Sequence, residues 1–152
     1  MRFIRFLLPS SASKKASLRI TDALHRQIRE AAGHSDDNAL PRVASFFTLG
    51  YFYGFVRTGF DNMGLDGEPL TEKYFRPICK GIPGNFYKVI RETGKAYQDA
   101  LQQHDDSSEA LYRQGLAAGI ADADVFRPAS TAQATRLSQF LIEGATADAA
   151  SS

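Results

Sequence analysis

Hydrophobic and polar positions along the chain predict a run of helices. Residues 16–21, Ala-Ser-Leu-Arg-Ile-Thr, alternate apolar and polar with the period of a strand. Thr21 or Asp22 can then cap a helix whose Leu24, Ile28 and Ala31 share one face at i, i+4, i+7. Gly33 supplies a left-handed stop, and residues 34–38 read as a polar turn. Asn38 can cap the next helix, with Pro41 tolerated in its first turn. From Val43 to Val56 no residue carries a charge, Arg42 precedes the run and Arg57 follows it. This helix is apolar around its whole circumference, which predicts burial on all sides, in protein or partly in lipid. Turn chemistry fills 61–69, and a helical piece over 71–80 is expected to break near Pro77. Asn85 can cap a helix reaching about Gln103, with Phe86, Val89, Ile90, Tyr97 and Leu101 as its stripe and Gly94 as its weak point. Asp106-Ser-Ser-Glu109 has capping-box spacing and opens a helix ending near Ala121. A last helix is expected over 131–143, burying Ala134, Leu137, Phe140 and Leu141. The predicted fold is all-α, a small helical protein with one short, wholly apolar central helix. Residues 1–21 form a basic N-terminal arm, 22–143 the helical region with its apolar helix at 43–60, and 144–152 a flexible tail.

Composition narrows the class. One domain with arms suits 152 residues, and the 11 Phe and 6 Tyr are enough for a core. A single cysteine, Cys79, excludes an intrachain disulfide framework and a zinc site built on several thiolates. Its neighbours Pro77 and Ile78 suggest a half-buried structural thiol, although Lys80 beside it could lower its pKa. The net charge of +1 excludes a uniformly basic protein. It conceals an asymmetry: the first acid is Asp22, and before it stand Arg2, Arg5, Lys14, Lys15 and Arg19 among serines and apolar residues. An acid-poor start rich in Arg and Ser has the character of a mitochondrial presequence; the alternatives are a solvated basic arm or a nucleic-acid arm.

Gly50 and Gly54 form Gly-x-x-x-Gly inside the apolar helix, and Thr58 continues the line. Small residues at that spacing make a flat groove on which another helix backbone can lie closely. The alternative is a close crossing inside a water-soluble core. Fourteen uncharged residues rise only about 21 Å, against about 30 Å of hydrocarbon. Arg42 and Arg57 could snorkel to extend the span, with Tyr51 and Tyr53 placing hydroxyls at an interface or bonding within a core.

The run Leu49-Gly50-Tyr51-Phe52-Tyr53-Gly54-Phe55-Val56-Arg57 resembles the membrane helix of subunit e of mitochondrial ATP synthase, over about 16 residues. The resemblance implies that Gly50 and Gly54 pack against a partner subunit's helix in the inner membrane. This chain departs from that family by continuing into a Gly/Pro-interrupted helical region.

A second stretch, Ser17-Leu18-Arg19-Ile20-Thr21 followed by helix, Gly33-His34-Ser35 and helix, is similar to the ribbon-helix-helix repressors. That resemblance implies a dimer whose strands present Ser17, Arg19 and Thr21 to base edges. Asp36 and Asp37 sit where phosphates should approach, against this reading.

Candidate chemistry is sparse. His25, His34 and His104 are scattered without zinc-site spacing, and Lys73 stands where a calcium loop over 62–73 needs a bidentate Glu. No nucleotide-binding glycine pattern occurs. No catalytic residue, metal or cofactor is expected. The leading expectation is therefore a non-enzymatic accessory subunit of a mitochondrial inner-membrane complex, ATP synthase first and a respiratory complex second. It would bind other subunits through Gly50, Gly54 and Thr58, with lipid near Arg42, Arg57, Tyr51 and Tyr53. The alternatives are a ribbon-helix-helix-like DNA-binding regulator, or a cytoplasmic adaptor or immunity-type protein that binds a partner.

Overall fold

The computed structural model describes residues 2–34 and 42–143, with side chains from residue 11 onward. Among the described residues every regular element is a helix. Six α-helices follow one another: α1 (Arg2–His34), α2 (Phe46–Asn62), α3 (Gly67–Lys80), α4 (Phe86–Gln102), α5 (Asp106–Asp122) and α6 (Arg136–Glu143). A 3-10 turn, Ala123–Phe126, joins the last two. The all-α expectation holds. The turn expected at 35–38, the roles of Asn38 and Pro41, and the tail 144–152 lie outside the described residues.

Residues 16–21 are not a strand. They continue α1, so residues 2–21 are the first part of a 33-residue helix and not a separate extended arm. The helical period wins because Ala16, Ile20, Leu24 and Ala31 all reach the core, joined by Gln27, while Leu18 is 55% exposed. A strand would have put Leu18 and Ile20 on the same face; here Ile20 is fully buried and Leu18 is in solvent.

The apolar helix begins later than its pattern predicts. Ser45 is its N-cap, its hydroxyl accepting from the Thr48 N–H at 3.1 Å. Arg42 and Val43 are helical but separated from it by a turn at Ala44 and Ser45, and are tied back by the Thr48 hydroxyl donating to the Arg42 carbonyl at 3.1 Å. Nor is α2 buried on every side. Phe52, Phe55, Val56 and Phe60 are fully buried, but Tyr53 is 38% exposed and Arg57 lies in solvent.

The loop expected over 61–69 is shorter because α3 starts at Gly67. The Asp61 carboxylate accepts from the Gly67 N–H at 2.8 Å, meeting one of the orphan donors of the first turn. Pro69 falls in that turn, where its missing N–H costs nothing. The helix also runs through Pro77 to Lys80 instead of breaking there.

The core forms where α1, α2, α3 and α6 meet the N-terminal half of α4. Ile20 and Leu24 from α1, Ile78 and Cys79 from α3, Ile82 after it, and Leu137 and Leu141 from α6 surround the phenylalanines of α2. Ring pairs tie the layers: Phe52 with Phe86 at 4.9 Å, Phe55 with Phe126 at 5.2 Å, and Phe47 stacked on Phe140 at 4.1 Å. The final helix is shorter than expected, 136–143, because Asp122 captures the Arg136 N–H and sets its start there.

Candidate functional site

The Gly50/Gly54 face is occupied by α5 of the same chain. A β-carbon on Gly50 would collide with the Tyr112 carbonyl and stand 2.9 Å from the Leu116 nitrogen; one on Gly54 would collide with the Leu116 carbonyl. The closeness is reciprocal. Gly115 and Gly119 on α5 repeat the same spacing, and β-carbons there would meet the carbonyls of Phe47 and Tyr51 on α2. Four glycines thus let two backbones lie in direct contact, gaining dispersion and Cα–H···O contacts. Thr58 beyond them is half-buried. The glycine part of this stripe is not open for a second protein's helix to seat on.

The residues expected near a membrane surface take other parts. Arg42 donates to the Leu141 carbonyl at 2.9 Å and to the Ile142 carbonyl, neutralising the negative end of α6. Tyr51 is fully buried and donates to the Asp122 carboxylate at 2.6 Å. Gln27 donates to the Tyr51 hydroxyl at 2.7 Å and accepts from the Ser138 N–H at 3.1 Å. Asp122, with no side-chain exposure, also accepts the Arg136 N–H at 2.8 Å and its guanidinium at 2.6 Å. Burial first, and the Asp122 charge second, hold the Tyr51 hydroxyl well above the ordinary phenol range, so it acts as a donor. This chain of bonds joins α1, α2, α5 and α6. Among the described residues no buried side-chain polar atom lacks a partner, so the network is closed and structural.

The positions expected to read DNA do not form a ribbon. The Ser17 and Thr21 hydroxyls bond back to the carbonyls of Lys14 and Ser17, both at 2.7 Å, and both residues are buried. Arg19 is exposed but lies over the Phe126 ring at 5.5 Å, with a nitrogen 3.3 Å from the Met63 sulfur. Cys79 is fully buried, and burial pushes its thiol up to about 12, which makes it inert at neutral pH. Among the described residues no three His, Cys, Asp or Glu side chains gather as a metal would need.

What remains open is a cleft of about 940 Å³ between α3 and α4, floored by α2 and α5. Two stacked ring pairs build it. Tyr53 of α2 lies on Phe75 of α3 at 4.2 Å, nearly parallel, and Tyr97 of α4 lies on Tyr112 of α5 at 4.4 Å. Burial raises the Tyr53 and Tyr112 hydroxyls, so both stay protonated donors. Leu49, Ile90 and Leu116 complete the apolar lining. Charges rim it: Arg57, Glu68, Glu72 and Arg76 on one wall, Arg91 and Lys95 on the other. Arg57 approaches Glu68 only to 3.8 Å, both exposed, an ion pair of little strength.

Gly94 lines the same cleft, and a β-carbon there would meet nothing within 4 Å. The helical glycines at 50, 54, 115 and 119 are explained by the α2/α5 crossing, Gly59 by its contact with Phe126 and Ile20, and Gly67 by its contact with Arg57 and Asp61. Gly94 is not explained by any contact within the chain. A second hollow near Arg19 and Arg127 is less free, because Arg127 pairs with Asp124 at 2.7 Å and Arg19 is engaged as above.

Sequence reasoning named Gly50 and Gly54 but missed their mates. The signal was present, since Gly115-Leu-Ala-Ala-Gly119 has the same spacing. It also missed the cleft wall, although Glu68, Glu72 and Arg76 recur every fourth residue and so share one face of α3. Compared with known proteins, the chain matches no family model, no curated protein and no solved structure.

Proposed function

We propose that this chain is a non-enzymatic partner-binding module, of the adaptor type, that receives a segment of another protein in the cleft between α3 and α4. One observation carries the reading: an aromatic-lined hollow of about 940 Å³ that the chain's own side chains leave unfilled, beside a mid-helix glycine that nothing in the chain requires. Partly exposed aromatic rings, Tyr53 with the half-buried Phe75 and Tyr112, are the composition of binding hot spots. Apolar area of this kind persists on a surface where something covers it.

The proposal moves docking away from the Gly50/Gly54 face, where the accessory-subunit expectation placed it, because α5 fills that face. Among the described residues no helix is long and apolar enough to cross a membrane. The uncharged part of α2, Phe46 to Val56, rises only about 16 Å. A role within a larger complex remains compatible with docking through the cleft.

The test is co-purification from native cells of the wild-type chain and of Gly94→Trp, which puts an indole into the cleft from a position where a β-carbon meets nothing. Loss of the specific partner from Gly94→Trp, with an unchanged circular-dichroism melt, supports the reading. An identical set of partners at identical stoichiometry refutes it.

A further inference from the structure

The charges around the cleft are not evenly mixed. Along α3 the face toward it reads Glu68, Glu72, Arg76, acid then base, at four-residue intervals, and Lys80 continues the row one turn beyond the lining. α4 follows α3 after a short loop, so its first turns lie beside the basic end. There the two walls converge on one ring. The guanidinium of Arg76, the ammonium of Lys80 and the guanidinium of Arg91 all stand 5.3–5.6 Å from the centroid of Tyr87. Cation–π attraction to a single ring face or edge offsets only part of the repulsion among three like charges. None of the three has an ion-pair partner among the described residues, where the ion pairs are Arg57–Glu68, Arg113–Glu109, Arg127–Asp124 and Arg136–Asp122. Lys95, one turn further along α4 from Arg91, extends the basic edge along the cleft.

Resting on the reading of the cleft as a docking site, we propose that its occupant is an acidic amphipathic peptide segment. Its carboxylates pair with Arg76 and Arg91, with Lys80 and Lys95 at either end of the basic edge, and its apolar side chains lie against Tyr53, Phe75 and Tyr112. Charge complementarity selects the acid. Guanidinium groups bind carboxylates in two-pronged fashion, and the ring faces beside them supply the apolar half of the contact. Gly94 gives the backbone of the segment room to approach α4. The cleft is partly open to solvent and has charge on both walls, which suits a chain segment more than a small molecule enclosed on all sides. The acidic pair at Glu68 and Glu72 adds direction, since it repels carboxylates from the far end and so orients the segment.

The probe is a fluorescein-labelled synthetic peptide in which glutamates occupy one helical face and leucine and phenylalanine the other. Its controls are the same peptide with glutamines for glutamates, and an oligothymidylate of matching charge. The titration is fluorescence anisotropy against the full chain. The glutamate peptide should bind more tightly than the glutamine peptide by about tenfold, and the Arg76→Gln/Arg91→Gln double variant should erase that margin. Gly94→Trp should block both peptides, and rising salt should weaken only the acidic one. Equal binding of the two peptides, abolished by Gly94→Trp, overturns the acidic preference and leaves the cleft standing as a docking site. Oligothymidylate binding as tightly as the acidic peptide, insensitive to Gly94→Trp, overturns the proposal in favour of a general polyanion patch. No peptide binding, while Gly94→Trp still dissociates the native partner, overturns the acidic segment alone. No peptide binding with the native complex intact in Gly94→Trp overturns both.

Discussion

Adding one methyl group to a helical glycine should have opposite consequences at two places in this chain. At Gly94 the new β-carbon meets nothing, so Gly94→Ala gains only helix propensity, about 1 kcal/mol. At Gly115 it would land on the Phe47 carbonyl, and lie 2.7 Å and 2.9 Å from the Phe47 carbonyl carbon and α-carbon. Those atoms are backbone and cannot rotate aside. Ordinary carbon contacts start near 3.4 Å, so α2 and α5 must separate along their crossing, loosening the Gly50, Gly54 and Gly119 contacts together. Overpacking of this kind costs about 3 kcal/mol at the upper end, and the same propensity gain offsets about 1, leaving a net loss of about 2 kcal/mol. For a chain of this size that is a fall in Tm of about 4–8 °C, while Gly94→Ala should raise it by about 2–4 °C. Differential scanning calorimetry of both variants reads the two shifts. The double variant Gly50→Ala/Gly115→Ala should cost less than the sum of its parts, because the first methyl already parts the helices. If Gly115→Ala stabilises the protein as Gly94→Ala does, the direct backbone contact between α2 and α5 is wrong.

Three further outcomes follow from other contacts. Asp122→Ala leaves the Tyr51 hydroxyl and the Arg136 N–H without their acceptor, and denaturant unfolding should show a loss of about 3 kcal/mol; a loss no larger than that of an exposed pair would show the network to be dispensable. Ser45→Ala removes the cap of α2 and should cost about 1 kcal/mol, with Ser45→Asp restoring most of it; equal stability of all three would remove Ser45 as the cap. Cys79 and Tyr51 both bind their protons more tightly folded than unfolded, so stability should hold level up to about pH 9, where an unfolded thiol titrates, and decline as pH rises toward 12; melts that stay flat through pH 11 would contradict the burial of both groups.

Much of the helical layout is legible in the chain itself. Apolar stripes and turn residues place α4 and α5 within a residue or two, because the 3.6-residue period is a local property, but the capping detail differs: Asn85 makes no side-chain cap bond, and the carboxylate that caps α5 is Asp105, accepting from the Ser108 N–H one residue before the box expected to open at Asp106. The four-residue interval of small and charged positions is local in the same way. It says that Gly50 and Gly54 need a backbone at close range, and that Glu68, Glu72, Arg76 and Lys80 share a face. Spacing carries no information about whose backbone arrives. That choice was made by tertiary structure, which brings Gly115 and Gly119 across some 65 residues to the same place and closes inside one chain a contact that resembles one between subunits. Tertiary packing also settled residues 16–21, where six positions fit a strand and a helix alike and the burial of Ile20 against the core decided between them. It turned Arg42 from a flanking charge into the cap of α6, and Tyr51 from an interface residue into the donor of a buried network. The cleft has the same origin: each of its rings and charges is visible in the sequence, but a hollow exists only where four helices fail to meet, and that depends on how all of them pack at once.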